Sequence, residues 1–444
     1  MSGSAAPHNT PRTFLLVTLG CKANQYDSER LRESLCLSGF REAGPGDPVT
    51  LCVVNTCTVT HQADAEARQL IRRLARRHPQ AAIVVTGCYA ARDPERLAKL
   101  PGVRAVVGDP DALPERLRAF GVHRWARRIK HFAGHQRAFV RIQDGCLLKC
   151  TFCIIPRVRP ALRSRPPEEI EAEVRGLLSA GYEEIVLTGI HLGHYGFDVP
   201  PRRRTRLWQL VQRLASIEGR WRLRLSSLEA VEVDENLVRV IRDHPRICPH
   251  LHLCLQSGSD RILRRMRRRY TVAAFLRRIE RVRAVLEEPA LTTDVIVGFP
   301  GETEEDFQAT VRVCREVGFC RIHVFPFSPR AGTPAASMPD QVPVAVTRRR
   351  RRELAELAEE LADRFRRRLV GRELEVLIER PVRDTPGWLR GTAERYVEVR
   401  LPGWGQSSTV GRLYRVGIQR VEGQHLVGRL SGLPVLPVLP SACG

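Results

Sequence analysis

The sequence predicts an α/β protein of three parts: an N-terminal parallel-sheet domain over 11–118, a central partial (β/α)6 barrel over 135–360, and a small C-terminal β-barrel over 366–433. Three observations predict it. Apolar runs alternate with helix-like stretches through the first 120 residues, the pattern of a parallel sheet covered on both faces. Six more such runs follow, too few for a closed eight-stranded barrel. A long basic helix then gives way to strand-like segments only.

In order, "TFLLVTLG" (13–20), "VTLCVVNT" (49–56), "AAIVVTG" (81–87) and "RAVVGD" (104–109) read as the strands of the first domain. An amphipathic segment from Asn24 to Phe40 and a helix from His61 to Arg77 separate the first three. "RAFGVHRWARRIKHFAG" (118–134) reads as a basic linker. The barrel strands are 138–142, 184–189, 222–227, 250–257, 291–298 and 321–327, with helices at 167–180, 235–243, 271–287 and 303–317. The basic helix covers 344–372, and strands of the small barrel are expected in 373–379, 388–402 and 413–430. The tail "LPVLPVLPSACG" is Pro-rich and expected to be disordered, with Cys443 not a ligand.

A chain of 444 residues buries a large core without staples. No apolar run reaches the roughly 18 residues needed to span a bilayer, and "MSGSAAPHNTPRTF" carries no apolar secretory segment, so a cytoplasmic protein with no membrane partner is expected. That compartment disfavours structural disulfides among the 13 cysteines. The 72 Lys+Arg against 49 Asp+Glu, net +23, imply a polyanionic partner, nucleic acid being the commonest; solvated helix faces are the competing explanation.

The cysteines carry the chemistry. Cys21, Cys57 and Cys88 each follow a strand of the first domain, and the carboxyl ends of parallel strands share one edge, so the three thiols can converge. "DGCLLKCTFCIIP" (144–156) sets Cys146, Cys150 and Cys153 at C-x3-C-x2-C after the first barrel strand. Three thiolates do not complete a four-ligand structural zinc site, but they suit a [4Fe–4S] cluster whose fourth iron is open. Zinc completed by one of His191, His194, His250 or His252 is the alternative. Thr188 and Gly189, Glu229 and Gln256 stand past the second, third and fourth barrel strands, where barrel ligands are bound. Cys36, Cys52, Cys248, Cys314 and Cys320 read as core packing.

C-x3-C-x2-C with Phe152 before the last cysteine, opening a partial barrel, resembles the radical S-adenosylmethionine (SAM) enzymes. The resemblance implies that SAM chelates the open iron and is cleaved by one electron to a 5′-deoxyadenosyl radical, with Thr188, Gly189, Glu229 and Gln256 as SAM contacts. "TLGCKANQYDSE", "VNTCTVT", "TGCYA", "SSLEA", "HLCLQSGSDRILRRMRRRYT" and "DVIVGFPGETEEDF" narrow it to the methylthiotransferases. This implies that Cys21, Cys57 and Cys88 hold a second [4Fe–4S] cluster, and that SAM is both radical source and methyl donor. It also implies that the last domain is a TRAM module, an OB-like RNA-binding fold. There Arg and Lys would contact phosphates, and Tyr396 or Trp388 would either stack on bases or pack in the small barrel.

Within that family "GCKANQ", with Lys22 and Gln25, looks most like enzymes acting on N6-threonylcarbamoyladenosine beside the anticodon of tRNA. The partners so implied are the tRNA anticodon stem-loop, an electron donor such as flavodoxin or ferredoxin, and a sulfur source. Pro160, Ala230 and Cys254 depart from the family pattern and put local loop geometry in question. The isopentenyladenosine and ribosomal-protein methylthiotransferases, a single-cluster radical SAM enzyme, and a non-enzymatic RNA-binding protein with a structural metal remain as alternatives.

Overall fold

The computed structural model describes residues 12–403 and 409–431. The tail segment 433–444 with Cys443, and most of the N-terminal stretch read for a leader, lie outside the described residues.

The first sheet has five parallel strands, β1 (Thr13–Thr18), β2 (Arg41–Glu42), β3 (Leu51–Thr56), β4 (Ala82–Gly87) and β5 (Val103–Val107), in the order β2-β1-β3-β4-β5. Its central strands β3 and β4 are largely apolar because both faces are covered. Cys52, Val54, Ile83 and Val85 pack with Ala67, Ile71 and Leu74 on one side; Phe14, Leu51, Val53 and Val84 pack with Leu31, Leu35 and Leu117 on the other. The helix His61–Arg77 starts where Thr60 Oγ1 accepts from the Ala63 amide at 3.1 Å. β2 is two residues long and exposed, too short to show in a hydrophobic pattern. Cys36, expected in the core, is exposed on the outer side of the helix Lys22–Leu37, whereas Cys52, Cys248, Cys314 and Cys320 are buried.

The segment 118–134 is a packed strap rather than a free linker. Ile129 and Phe132 are buried in the barrel core. Backbone amides of Ala126, Ile129 and Phe132 donate to Ser34 Oγ (3.0 Å), Glu173 Oε1 (2.7 Å) and Tyr182 Oη (2.6 Å).

The central unit has six parallel strands: β6 (Ala138–Asp144), β8 (Glu184–Gly189), β9 (Arg222–Leu225), β10 (His250–His252), β11 (Ala290–Val297) and β12 (Arg321–Pro326). A short antiparallel β7 (Arg163–Ser164) lies beside β6. Isolated bridges, Leu223 to Ile247 and Leu228 to Leu253, join β9 to the β10 segment, so the six strands form one curved, open wall. The helix Glu304–Val317 is closed by a Thr303/Asp306 capping box at one end and Gly318 at φ 59° at the other.

The last unit is a closed five-stranded barrel in the order β13-β14-β15-β17-β16. Its strands are β13 (Glu373–Pro381), β14 (Trp388–Ala393), β15 (Glu398–Pro402), β16 (Leu413–Glu422) and β17 (His425–Leu430). The two longer predicted runs are therefore hairpins, one turning at Tyr396 (φ 60°) and the other at Gly423 (φ 55°). One face of the Tyr396 ring lies on His250 at 4.5 Å and 13°.

A buried ionic hub joins this barrel to the central one. Glu184 accepts from Arg222 and Arg224 (Nε at 2.7 and 2.8 Å), and these donate onward to the carbonyls of Thr392 (2.7 Å), Ala393 (3.0 Å) and Glu394 (2.9 Å).

Candidate functional site

β1, β3 and β4 are neighbours in the sheet, so the loops leaving their carboxyl ends bring Cys21, Cys57 and Cys88 together. Cys57 and Cys88 are buried and Cys21 is exposed. The turn before each end thiol needs glycine. Gly20 has φ 113°, and a Cβ there would come 2.8 Å from Cys57 Cβ; Gly87 has φ 90°, and a Cβ there would overlap Asn55 Oδ1. Burial pushes the Cys57 thiol up to about 11, with Cys88 and Cys21 adding to the rise, so the three sulfurs lie within electrostatic reach of one another.

The second set is built alike. Gly145 (φ 76°) turns the chain out of β6, and a Cβ there would overlap the Ala161 carbonyl. Cys146, Cys150 and Cys153 follow on a loop whose Cys153 amide donates to the Cys150 carbonyl at 3.1 Å. Burial pushes Cys153 up to about 12 and raises Cys150 as well. Buried thiols shifted this way become thiolates when a cationic centre compensates their charge. Two sets of three sulfurs fit two [4Fe–4S] clusters, each with an open iron.

The sets face each other. Ile154 and Val158, just past Cys153, pack directly on Cys88. Arg159 spans the gap. Its Nε points at Cys88 Sγ (3.5 Å), Nη1 donates to both Asp144 oxygens (2.9 Å each), and Nη2 donates to Asn24 Oδ1 (2.9 Å) and Asp27 Oδ2 (3.0 Å). Arg268 plays the equivalent part on the other side, donating to Cys150 Sγ at 3.3 Å and to both oxygens of Glu229. A third arginine, Arg330 from the loop after β12, is 1% exposed and donates to Thr58 Oγ1 (2.8 Å) and Asp64 Oδ2 (2.6 Å) next to Cys57.

The sequence reading passed over all three arginines. Arg159 lies in the stretch singled out only for Pro160, and Arg268 is one of the many arginines behind the net charge of +23, whereas the structure buries it to 4% exposure. Nothing local in the sequence distinguishes a buried guanidinium from an exposed one.

The expected SAM-contact residues fall around the second set. Thr188 is buried on β8 beside Arg141 of β6. Gly189 allows close approach of Gln143, whose carbonyl and Oε1 would each lie 2.9 Å from a Cβ there. Glu229 reaches the thiols through Arg268. Gln256 has φ 61°, with its amide donating to the Asp294 carbonyl at 2.9 Å and its side chain free of hydrogen bonds among the described residues. Ala230 is fully buried in a short turn, and Cys254 enters the barrel lumen beside His252 and Asp294.

His191 and His194 do approach Cys146. Yet His191 Nε2 is bonded to Glu232 (2.5 Å), His194 Nδ1 accepts from the Leu147 amide (3.3 Å), and the rings stack at 3.8 Å and 7°. His191 Nδ1 lies 3.4 Å from Cys146 Sγ, so the stacked pair props the loop that carries this cysteine.

The chain matches the model of the radical SAM superfamily over residues 140–314 and that of the uncharacterized protein family UPF0004 over residues 13–108. Threonylcarbamoyladenosine tRNA methylthiotransferase MtaB of Chlamydia pneumoniae is 37% identical, over 94% of this chain and 98% of that protein. The protein of the same name from Bacillus subtilis (strain 168) is 38% identical, over 93% and 96%. tRNA-2-methylthio-N(6)-dimethylallyladenosine synthase of Nocardia farcinica is 37% identical, over 94% and 88%. Among solved structures, the radical SAM methyltransferase TsrM of Kitasatospora setae shares the fold at TM-score 0.55 and 15% identity, over 86% of this chain and 81% of that one. The chain belongs to the radical SAM methylthiotransferase family.

Proposed function

We propose that this protein inserts a methylthio group at C2 of N6-threonylcarbamoyladenosine at position 37 of tRNA. The observation that carries the reading is the meeting of two three-cysteine sets across Arg159, Ile154 and Val158. Bound to those sets, two [4Fe–4S] clusters with SAM supply one-electron chemistry strong enough to replace C–H by C–S, together with the sulfur and the methyl group.

The residues of this chain do the rest. Cys146, Cys150 and Cys153 hold the centre that binds SAM, and Cys21, Cys57 and Cys88 hold the centre that carries the sulfur. Arg159 and Arg268 donate to a sulfur of each set and fix its loop. Thr188, Gly189, Glu229 and Gln256 surround the SAM side of the site. The C-terminal barrel, a TRAM-like module on a chain of net charge +23, holds the anticodon stem-loop, chiefly through phosphate contacts. Electrons would come from a flavodoxin- or ferredoxin-like donor and sulfide from a separate source, in the cytoplasm. No helix of the described residues is long and apolar enough to cross a membrane.

Two measurements test this. After anaerobic reconstitution the wild type should hold about eight iron atoms, and the Cys21/Cys57/Cys88→Ala variant about four. The wild type, with SAM and reductant, should convert threonylcarbamoyladenosine in hypomodified tRNA to its 2-methylthio derivative. Conversion of dimethylallyladenosine instead would favour the activity named for the Nocardia relative. Equal iron in both proteins, or no methylthiolated nucleoside, would overturn the proposal.

A further inference from the structure

The helix Lys22–Leu37 begins one residue after Cys21, and its first turn borders a cavity of about 420 Å³ between the 118–134 strap, the central barrel and the C-terminal barrel. Lys22, Gln25, Arg137 and Arg224 line it together with Glu379 and Tyr396 of the C-terminal barrel. Its volume lies within the roughly 300–1,000 Å³ of small-ligand sites.

Lys22 is badly placed for stability. A cation in the first helical turn opposes the helix dipole, where an acid would be favoured, and this turn has none. Lys22 also lies within electrostatic reach of Arg224 and Arg137, with Tyr396 and Glu184 acting in the opposite sense. Those two are answered: Arg224 by Glu184, and Arg137 by Glu184 and Glu379. Lys22 makes no ion pair or hydrogen bond among the described residues, its one polar-group contact being a 6.0 Å approach to the Phe139 ring. Three residues on, Gln25 Oε1 is buried and has no hydrogen-bond partner. An uncompensated cation and an orphaned amide oxygen on one wall of a cavity, next to Cys21, call for a ligand with an anionic group and an N–H or O–H donor.

We infer that Lys22 binds a carboxylate on the N6 substituent of the substrate adenine and that the Gln25 amide bonds the adjoining N–H or hydroxyl. The inference rests on the tRNA reading above and deepens it. A threonylcarbamoyl substituent carries a carboxylate, two N–H groups and a hydroxyl, whereas a dimethylallyl substituent carries no charge and no polar group. A half-buried cation with no ion pair gains from the first and nothing from the second, so this lysine favours the acidic substrate over the neutral one.

The test compares dissociation constants of the reconstituted full-length enzyme for three synthetic anticodon stem-loops: threonylcarbamoyladenosine, its methyl ester and dimethylallyladenosine. Wild type should prefer the acid over the ester by about 10- to 100-fold, the worth of one charge-assisted hydrogen bond. Lys22→Gln should bring that ratio close to one while leaving ester affinity and iron content unchanged, and Lys22→Arg should keep most of it. An undiminished ratio in Lys22→Gln, or no acid-over-ester preference in wild type, would overturn the inference. Failure of the underlying tRNA reading would show separately, as no methylthiolated nucleoside with the wild-type enzyme.

Discussion

Replacing Arg159 by Met tests whether the two cysteine loops are held together by charge. The side chain is 4% exposed and makes four charge-assisted hydrogen bonds of 2.9–3.0 Å, besides its approach to Cys88. Each such bond contributes about 1.5–3 kcal/mol, but bonds from one group do not add. Asp144 and Asp27 would each keep Arg141, at 3.0 and 2.6 Å, so neither is stranded. The expected loss is therefore about 1.5–3 kcal/mol, the worth of one charge-assisted hydrogen bond, and not the sum.

A chain of several units does not unfold in one step, so local hydrogen exchange is the suitable assay. Amide protection in the helices Lys22–Leu37 and Cys88–Arg92 should fall by about one to two orders of magnitude, at 1.4 kcal/mol per tenfold. Iron at the Cys21 set should fall with it, while iron at the Cys146 set stays. Arg159→Lys keeps the charge without the planar fork and should lie between. Protection within about threefold of wild type in Arg159→Met would refute the argument, since a half-order change corresponds to less than about 1 kcal/mol. Equal damage from Lys and Met would show that shape matters and charge does not.

Other outcomes follow from the same buried charges. Asp64→Ala leaves Arg330 without a counter-charge when its Nε and Nη1 already lack partners, and should cost about 3–5 kcal/mol. Arg330→Met should cost less, because Asp64 retains Arg92 (2.8 Å) and Thr58 (2.6 Å); equal loss of amide protection in the helix His61–Arg77 for the two variants would contradict this. Glu184→Gln removes the one carboxylate shared by Arg137, Arg222 and Arg224, so the C-terminal barrel should loosen and limited proteolysis near residues 369–372 should speed up. Unchanged cleavage would mean the carbonyl contacts alone suffice. Burial would raise the Asp306 carboxyl, but bonds from Arg261, Ser259 and Thr303 outweigh it and hold it down to about 2. A depressed carboxyl stabilises above its unfolded value of 3.8, and that stability is lost as pH falls from about 4 towards 2. The gap in local opening free energy of the helix Glu304–Val317 between wild type and Asp306→Asn, about 2 kcal/mol by amide exchange, should be constant above about pH 5 and narrow below pH 4.

Much of this molecule is written in local pattern. Strands β1, β3 and β4 and the barrel strands announce themselves as apolar runs, because each is covered on at least one face. The cysteines were legible for the same reason: spacing and strand-end position are properties of the chain, and topology carries strand ends to one edge. What escaped notice was short or reversed within a run. β2 has two residues, and the turns at Tyr396 and Gly423 interrupt stretches whose side-chain alternation continues across them. The strap over 118–134 looked like a linker because its charges outnumber Ile129 and Phe132, the residues that anchor it.

The sequence by itself determined which atoms are available for the chemistry: two sets of three thiols, glycines that turn the chain before Cys21, Cys88 and Cys146, and a lysine next to the first thiol. The tertiary structure decided which charges are answered. Among 72 Lys+Arg, only folding shows that Arg159, Arg268 and Arg330 are buried against the cysteine loops and that Lys22 is left without a partner. The reason is physical. Periodicity and spacing act within a few residues, whereas an ion pair joins positions such as Arg159 and Asp27 that only the packed chain brings within 3.0 Å.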